Sequence, residues 1–176
     1  ETGLIRSLDA QLSDGSLASA HRSTGQTWTL SAQCAYFSMA AVYFKPTQPH
    51  LAARAEQAAR RALTAFCHYQ RPGGIFSPVE NILPPQYRVG YELYTADGHY
   101  SSLALAFLGT AVQHGLGDAA PVDLAPRAPT VRIEHDPTFR AVAHHGPYSL
   151  HFNAAPAEHY DAFGIVDLSF GLNRVL

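Results

Sequence analysis

Residues 50–69 read HLAARAEQAARRALTAFCHY, and this stretch decides the class of the fold. Its apolar residues recur at helical spacing and form one stripe: Leu51, Ala55, Ala58, Ala59, Ala62, Leu63 and Phe66. Alanine has the highest helix propensity, and the charged residues, Arg61 among them, mostly fill the opposite face. The pattern predicts a long amphipathic helix that packs against a helical core.

Three more helices are predicted around this one. Residues 4–12 place leucines on one helical face, and residues 34–44 are apolar on nearly every side, which is typical of a helix buried among others. Residues 101–114 form the fourth helix, and the residues expected to pack inward are Leu103, Leu105, Ala106, Leu108, Ala111 and Val112. These elements predict an α-helical domain over residues 1–120.

The spacing of apolar residues changes after a proline-containing linker at residues 121–129. Short segments then alternate apolar and polar residues, and Pro or Gly separates them. The segments lie at residues 131–133, 139–143, 148–152 and 165–170. This spacing predicts an antiparallel meander over residues 130–176, so the fold class is predicted to be α+β.

Composition narrows the class of protein. The formal net charge is −2, so no basic field is present to hold nucleic acid. No run of about 18 apolar residues predicts a membrane-spanning segment. The 9 Tyr and 10 His suit the binding of hydroxylated ligands and proton transfer. Residues 1–3 look like a processing remnant, from which we expect a secreted or periplasmic protein. Cys34 and Cys67 are expected to be buried thiols, with a disulfide as the alternative.

A weak internal repeat relates two loop entries. Gln11-Leu12-Ser13-Asp14-Gly15-Ser16 parallels Gln70-Arg71-Pro72-Gly73-Gly74-Ile75, at an offset of 70 − 11 = 59 residues. Four helices are too few to close a ring of such units, and four strands are few for a sheet with two buried faces. Residues 173–176 also read as a strand cut mid-course. We therefore expect a fragment of a larger fold, completed by the rest of the polypeptide or by a partner chain.

This organisation resembles a known architecture. Glutamine–glycine loop entries after alanine-rich helices, followed by an antiparallel β segment, resemble the (α/α) toroid and β-sandwich of polysaccharide lyases of the heparinase II/III-like and chondroitin AC lyase-like types. Residues 91–100, YELYTADGHY, look like the substrate-facing loops of those toroids. The resemblance implies an incomplete toroid, a sandwich-like segment, and a polysaccharide or oligosaccharide substrate, with no cofactor and no metal.

The resemblance also implies a reaction, the β-elimination of a uronate-containing glycan. This reaction needs a group that neutralises the substrate carboxylate, a base for the C5 proton and an acid for the leaving oxygen. Asn81 and Arg88 are the candidates for neutralising the carboxylate, and His99 is the candidate base. The candidate acids are the tyrosines Tyr91, Tyr94 and Tyr100. The structural alternative is that His99 only caps a helix while Tyr100 packs in the core.

Other functions fit the same region. A glycoside hydrolase needs two carboxylates, which Glu80, Glu92 and Asp97 could supply; Glu92 and Asp97 could instead bind substrate or orient His99 and Arg88. His145 is expected to reach a substrate cleft, and a metal site that includes His145 and His151 is a weaker alternative. A glycan-binding module that uses Tyr and Phe as platforms remains open, as does a terpenoid-cyclase-like toroid, which the β segment disfavours.

Overall fold

The structure is a computed structural model. It describes residues 1–18, 26–70, 72–73, 76, 86, 98–118, 127–134, 140–154, 164–171 and 173–175. The chain divides into two compact units. A sheet unit combines Glu1–Thr24 with Pro121–Leu176, and a helical unit comprises Gly25–Ala120. The first helix therefore groups with the sheet, whereas the sequence analysis placed it in a helical domain over 1–120.

Among the residues that the structure describes, the helical unit contains three long helices and a short 3-10 turn. They are α2 (Thr27–Phe44), α3 (Pro49–Cys67) and α4 (Gly98–Gln113), followed by the turn at Leu116–Asp118; α1 (Thr2–Ala10) lies in the sheet unit. Helix α2 packs against both α3 and α4. This position explains the buried apolar residues of α2, such as Leu30 and Phe37. It ends at Phe44, and Pro49 begins α3, where a missing N–H costs nothing.

The interior of the helical unit is built from small residues of α3 and large residues of α2. Phe37 and Leu30 are buried on α2, while Ala55, Ala59 and Ala62 are buried on α3. Small alanine side chains let the two helix backbones approach closely. Most residues of the predicted apolar stripe of α3 are buried. The buried face is wider than predicted, because it also includes Arg61, which is only 9% exposed.

Several apolar side chains of the helical unit are exposed. Tyr36, Met39 and Tyr43 recur at helical spacing on α2, and Leu105 and Val112 lie on one side of α4. The prediction that Leu103, Leu105, Ala106 and Val112 pack inward is wrong, because these residues are exposed. It is confirmed for Ala111, which makes the buried face of α4 together with Ala104.

The cysteines differ from expectation in one respect. Both are free thiols; Cys34 is buried in α2 as predicted, whereas Cys67, the last residue of α3, is exposed. No helix in the described part of the chain is long and apolar enough to cross a membrane.

The sheet unit contains an antiparallel meander, as the sequence predicts. Its strands follow chain order: β1 (Arg127–Glu134), β2 (Arg140–Gly146), β3 (Tyr148–Asn153), β4 (Gly164–Phe170) and β5 (Asn173–Arg174). Two residues, Gly146 and Pro147, connect β2 to β3, and Gly146 has φ +56°. The fold class α+β is thus confirmed, and the described residues form neither a closed toroid nor a second sheet.

The sheet has a polar face and an apolar face, and the polar face is the buried one. Six polar side chains with relative exposure of 5% or less share the buried face: His144, Ser149, His151, Asn153, Asp167 and Ser169. Val131, Ile133, Tyr148, Ile165 and Phe170 are exposed. This distribution inverts the usual arrangement of an antiparallel sheet with one solvated face.

The internal repeat has a matching local geometry. After α1, Gln11 forms an isolated antiparallel bridge with Leu17, and after α3, Gln70 forms the same bridge with Phe76. A glycine with φ +92°, Gly15 or Gly73, lies within each turn, because the reversal requires a conformation that other residues rarely adopt.

Candidate functional site

One end of the helical unit gathers aromatic and titratable side chains. Trp28 lies in the first turn of α2 and Tyr100 in the first turn of α4, and their rings stack with centroids 6.3 Å apart and planes 24° from parallel. His99 precedes Tyr100 and is exposed, whereas Tyr100 and Trp28 are half-buried. The structure therefore places an exposed imidazole next to a tyrosine fixed by an indole ring.

A compact apolar cluster supports these rings. Its buried members are Leu30, Ala65, Phe66 and Ala104, and partly buried Trp28, Tyr69, Phe76 and Leu108 pack against it. The rings of Phe66 and Phe76 lie 4.5 Å apart. Three helix ends are thereby joined: the starts of α2 and α4 and the end of α3.

At the start of α2, two polar side-chain atoms lack hydrogen-bond partners among the described residues. Gln26 is 2% exposed, and its Oε1 has no hydrogen-bond partner in the structure described. The buried Nε1 of Trp28 likewise has none in that part of the chain. The backbone carbonyl of Gln26 is engaged, because it accepts from the Leu30 N–H at 3.3 Å and from the Thr29 hydroxyl at 2.6 Å.

Of the predicted catalytic and binding residues, the structure describes three. His99 and Tyr100 are adjacent in the helical unit, and His145 lies in the sheet unit. The others lie outside the described residues, and they are Glu80, Asn81, Arg88, Tyr91, Glu92, Tyr94 and Asp97. The structural alternative for Tyr100, a side chain packed in the core, is only partly met because the ring is half-buried.

His145 is exposed on the apolar face of the sheet, opposite Tyr148 on the neighbouring strand. Both residues line a shallow groove of about 340 Å³, together with Pro129, Val131, Ala143, Leu150 and Leu168. The rings of Tyr148 and Phe170 lie 4.9 Å apart on the same face. This face combines a paired aromatic surface with one imidazole.

The buried face of the sheet carries a hydrogen-bond network to the end of α1. The carbonyl of Asp9 can only accept, so the Nε2 of His144, 2.9 Å away, carries a hydrogen and donates to it. The Nδ1 of His144 lies 2.7 Å from the Ser149 hydroxyl oxygen, and this oxygen accepts from the Ser13 N–H at 2.8 Å. The hydroxyls of Ser13 and Ser169 lie 2.7 Å apart.

The sequence analysis missed this network, although a signal was available. Ser149, His151 and Asn153 alternate along β3, and Asp167 and Ser169 continue the alternation on β4. Five polar residues at a spacing of two mark a continuous polar face. Hydrophobicity alone would instead bury the apolar residues between them.

The metal alternative that joins His145 and His151 is wrong. Across the tight hairpin His145 pairs with Tyr148, whereas His151 pairs with Val142, so the two imidazoles lie on opposite faces of the sheet. His151 is fully buried, and its Nδ1 lies 3.4 Å from Oδ2 of Asp167. The described residues contain no group of three potential metal ligands.

Comparison with known proteins gives no relative: no family model matches the sequence, and no curated protein or solved structure shows significant similarity. The sequence pattern and the geometry of the described side chains are therefore the basis for proposing what the protein does.

Proposed function

We propose that this chain belongs to a carbohydrate-active enzyme, a polysaccharide lyase that cleaves uronate-containing glycan by β-elimination. The observation that carries the proposal is the exposed imidazole of His99 beside Tyr100, whose ring stacks on Trp28 at the joined ends of α2, α3 and α4. Aromatic rings and imidazoles at one end of a helical layer suit a sugar polymer, because rings contact its C–H faces and imidazoles exchange protons.

The proposed roles follow from exposure. His99 is exposed and acts as the base that takes the C5 proton. Tyr100 is half-buried and held by Trp28, so its phenol acts as the acid that protonates the leaving oxygen. Neutralisation of the substrate carboxylate by Asn81 or Arg88 stays a prediction.

The larger architecture is part of the proposal. The exposed apolar residues of α2 and α4 support the packing of further toroid helices against this layer, and the exposed apolar face of the sheet supports a second sheet of a sandwich. A secreted or periplasmic location is also proposed, because a polymeric substrate lies outside the cytoplasm.

The deciding experiment compares two histidines in equivalent positions. His99 and His50 are each the second residue of a helix, α4 and α3, and both are exposed. With a panel of uronate polymers, we expect His99→Ala to lower formation of the unsaturated uronate product at least 100-fold, in line with the loss of general base catalysis. His50→Ala should leave the rate unchanged.

Two outcomes would reject the lyase mechanism, and a third would reject the role of His99 in it. Reducing ends formed without the ultraviolet absorbance of an unsaturated uronate would indicate a glycoside hydrolase. Glycan binding without any cleavage would indicate a binding module. Equal activity of the His99→Ala and His50→Ala variants would remove His99 from the reaction.

A non-catalytic glycan-binding module is the second candidate, and the sheet unit favours it. The ring pair of Tyr148 and Phe170 beside His145 offers an exposed aromatic platform with a groove. Tyr148→Ala should then weaken glycan binding by about tenfold, since stacked aromatic contacts contribute about 1 kcal/mol or more. Isothermal titration with oligosaccharides measures this directly, and unchanged affinity would exclude the platform.

A further inference from the structure

We infer that Gln26 and Trp28 form a sugar-binding subsite at the start of α2, which positions the glycan beside His99 and Tyr100. The inference rests on the proposed function and deepens it, because it assigns recognition of sugar hydroxyl groups to two residues that the reaction itself does not require.

Two polar atoms, Gln26 Oε1 and Trp28 Nε1, have no partner among the described residues. Buried polar groups in folded proteins are nearly always hydrogen-bonded, and leaving one unpaired costs about 1–3 kcal/mol. Gln26 Oε1 is an acceptor and Trp28 Nε1 is a donor, two residues apart, and neither has a partner within the described structure. The pair is therefore complementary to hydroxyl groups, which both donate and accept.

The second argument is preorganisation. Gln26 is held by two hydrogen bonds to its carbonyl, and its side chain is 2% exposed. The indole of Trp28 packs between the apolar cluster and the ring of Tyr100. Groups that are fixed before binding lose little conformational entropy when a ligand arrives, so their hydrogen bonds contribute more to affinity.

The third argument is location. Trp28 contacts Tyr100, and Tyr100 follows His99 in the chain, so a sugar bound at Trp28 lies next to the proposed acid and base. The class of ligand expected is a hydroxyl-rich ring of the uronate polymer.

The chain offers a direct probe, because Trp28 is its single tryptophan. Excitation at a wavelength that tyrosine does not absorb therefore reports on this site alone. The titrants are tetrasaccharides of mannuronate, of glucuronate alternating with N-acetylgalactosamine, and of glucose. We expect at least one uronate tetrasaccharide to shift or quench the emission saturably.

Two variants test the contacts. Trp28→Phe keeps a ring but removes the N–H, and Gln26→Met removes the acceptor at similar size. Each should raise the KM for the active uronate polymer about tenfold with a smaller change in kcat, the effect of losing one buried hydrogen bond. Gln33→Met is the matched control, since Gln33 is also a buried glutamine of α2 whose Oε1 has no partner in the part described, and it should leave KM unchanged.

The outcomes separate the subsite from the lyase proposal. Lyase activity with unchanged KM in both variants and no change in Trp28 emission overturns the subsite alone. Absence of any unsaturated product, together with a saturable emission change that Gln26→Met weakens, overturns the lyase mechanism and keeps the subsite. No product and no emission response overturn both. Circular dichroism of each variant excludes misfolding, and Gln26→Met keeps the test decisive if Trp28→Phe unfolds.

Discussion

Burial changes the chemistry of Cys34 more than that of Cys67. Cys34 is 0% exposed, and its thiol donates to the Ala59 carbonyl at 3.7 Å. Desolvation by burial, with a smaller contribution from nearby Cys67, raises the pKa of Cys34 from 9.0 to about 12. Burial also raises the pKa of Cys67, the exposed residue at the end of α3. Cys34 therefore behaves as a small hydrophobic side chain.

The raised pKa of Cys34 predicts a dependence of stability on alkaline pH. The thiol binds its proton more tightly in the folded than in the unfolded chain, so its contribution is complete below pH 9.0 and is lost as the pH rises toward about 12. The free energy of unfolding should fall by up to about 1.4 kcal/mol per pH unit in this range. Cys34→Ala should remove that component in denaturant titrations, while Cys67→Ala should retain it. Parallel pH curves for wild type and Cys34→Ala would contradict the assignment.

Arg61 shows how the fold overrides a helical pattern. Its place in the sequence suggests the polar face of α3, yet it is buried, and burial lowers the pKa of its guanidinium. The apolar stripe of α3 is wide because α3 packs closely along α2. A long alkyl stem lets an arginine contribute to such an interface.

At the scale of elements, polar contacts fasten α1 to the sheet. Arg132 of β1 donates to the Asp9 carboxylate at 2.7 Å, and His144 donates to the Asp9 carbonyl in the last turn of α1. Ser149 accepts from the backbone N–H of Ser13, shortly after the helix. Leu4 and Leu8 of α1 are also buried. This explains why a nine-residue helix with no side-chain N-cap is retained.

The network predicts an unequal response of two serines to the same substitution. Ser149→Ala leaves the Ser13 N–H without its acceptor and His144 without its hydroxyl, both in a buried site. The free energy of unfolding should fall by about 1–3 kcal/mol. Ser7→Ala removes only a surface hydroxyl bonded to the Gly3 carbonyl of α1 and should cost less than about 0.5 kcal/mol. Urea denaturation of both variants tests this, and equal losses would show that the network contributes no net stability.

At the scale of the molecule, both units expose apolar side chains. The helical unit buries an apolar layer, whereas the sheet buries a polar one. The sheet covers its polar face and exposes Val131, Tyr148 and Phe170, and the helical unit exposes Met39 and Leu105. Groups of exposed apolar side chains often mark contact sites in soluble proteins. They support the proposed additional layers, whichever chain supplies them.

A pair of phenylalanines measures how far these exposed surfaces are covered in solution. Phe37 is 0% exposed and Phe170 is 46% exposed. Phe37→Ala should lower the free energy of unfolding by about 3–5 kcal/mol, whereas Phe170→Ala should cost less than about 1 kcal/mol. Thermal and urea unfolding of the chain provide the comparison. A loss of several kcal/mol for Phe170→Ala would mean that the apolar face of the sheet is covered.

Much of the fold follows from sequence because local periodicity determines it. The alanine stripe of residues 50–69, the apolar run of α2 and the alternation of residues 131–170 give the elements and their order. The two glutamine turns are also readable as a repeat. The site is harder to predict from sequence. The adjacency of His99 and Tyr100 is visible, but the contact of Tyr100 with Trp28, about 70 residues earlier in the chain, is not.

The sequence by itself determined the α+β class, the helices and the strand order, since these depend on spacings of two and about 3.6 residues within one segment. Only the tertiary structure decided which face of each element is buried. Burial depends on neighbours distant in sequence, and a polar face is buried when partners such as Asp9 and Ser13 satisfy its hydrogen bonds. For that reason the sheet conceals His144 and exposes Phe170, against the expectation from hydrophobicity alone.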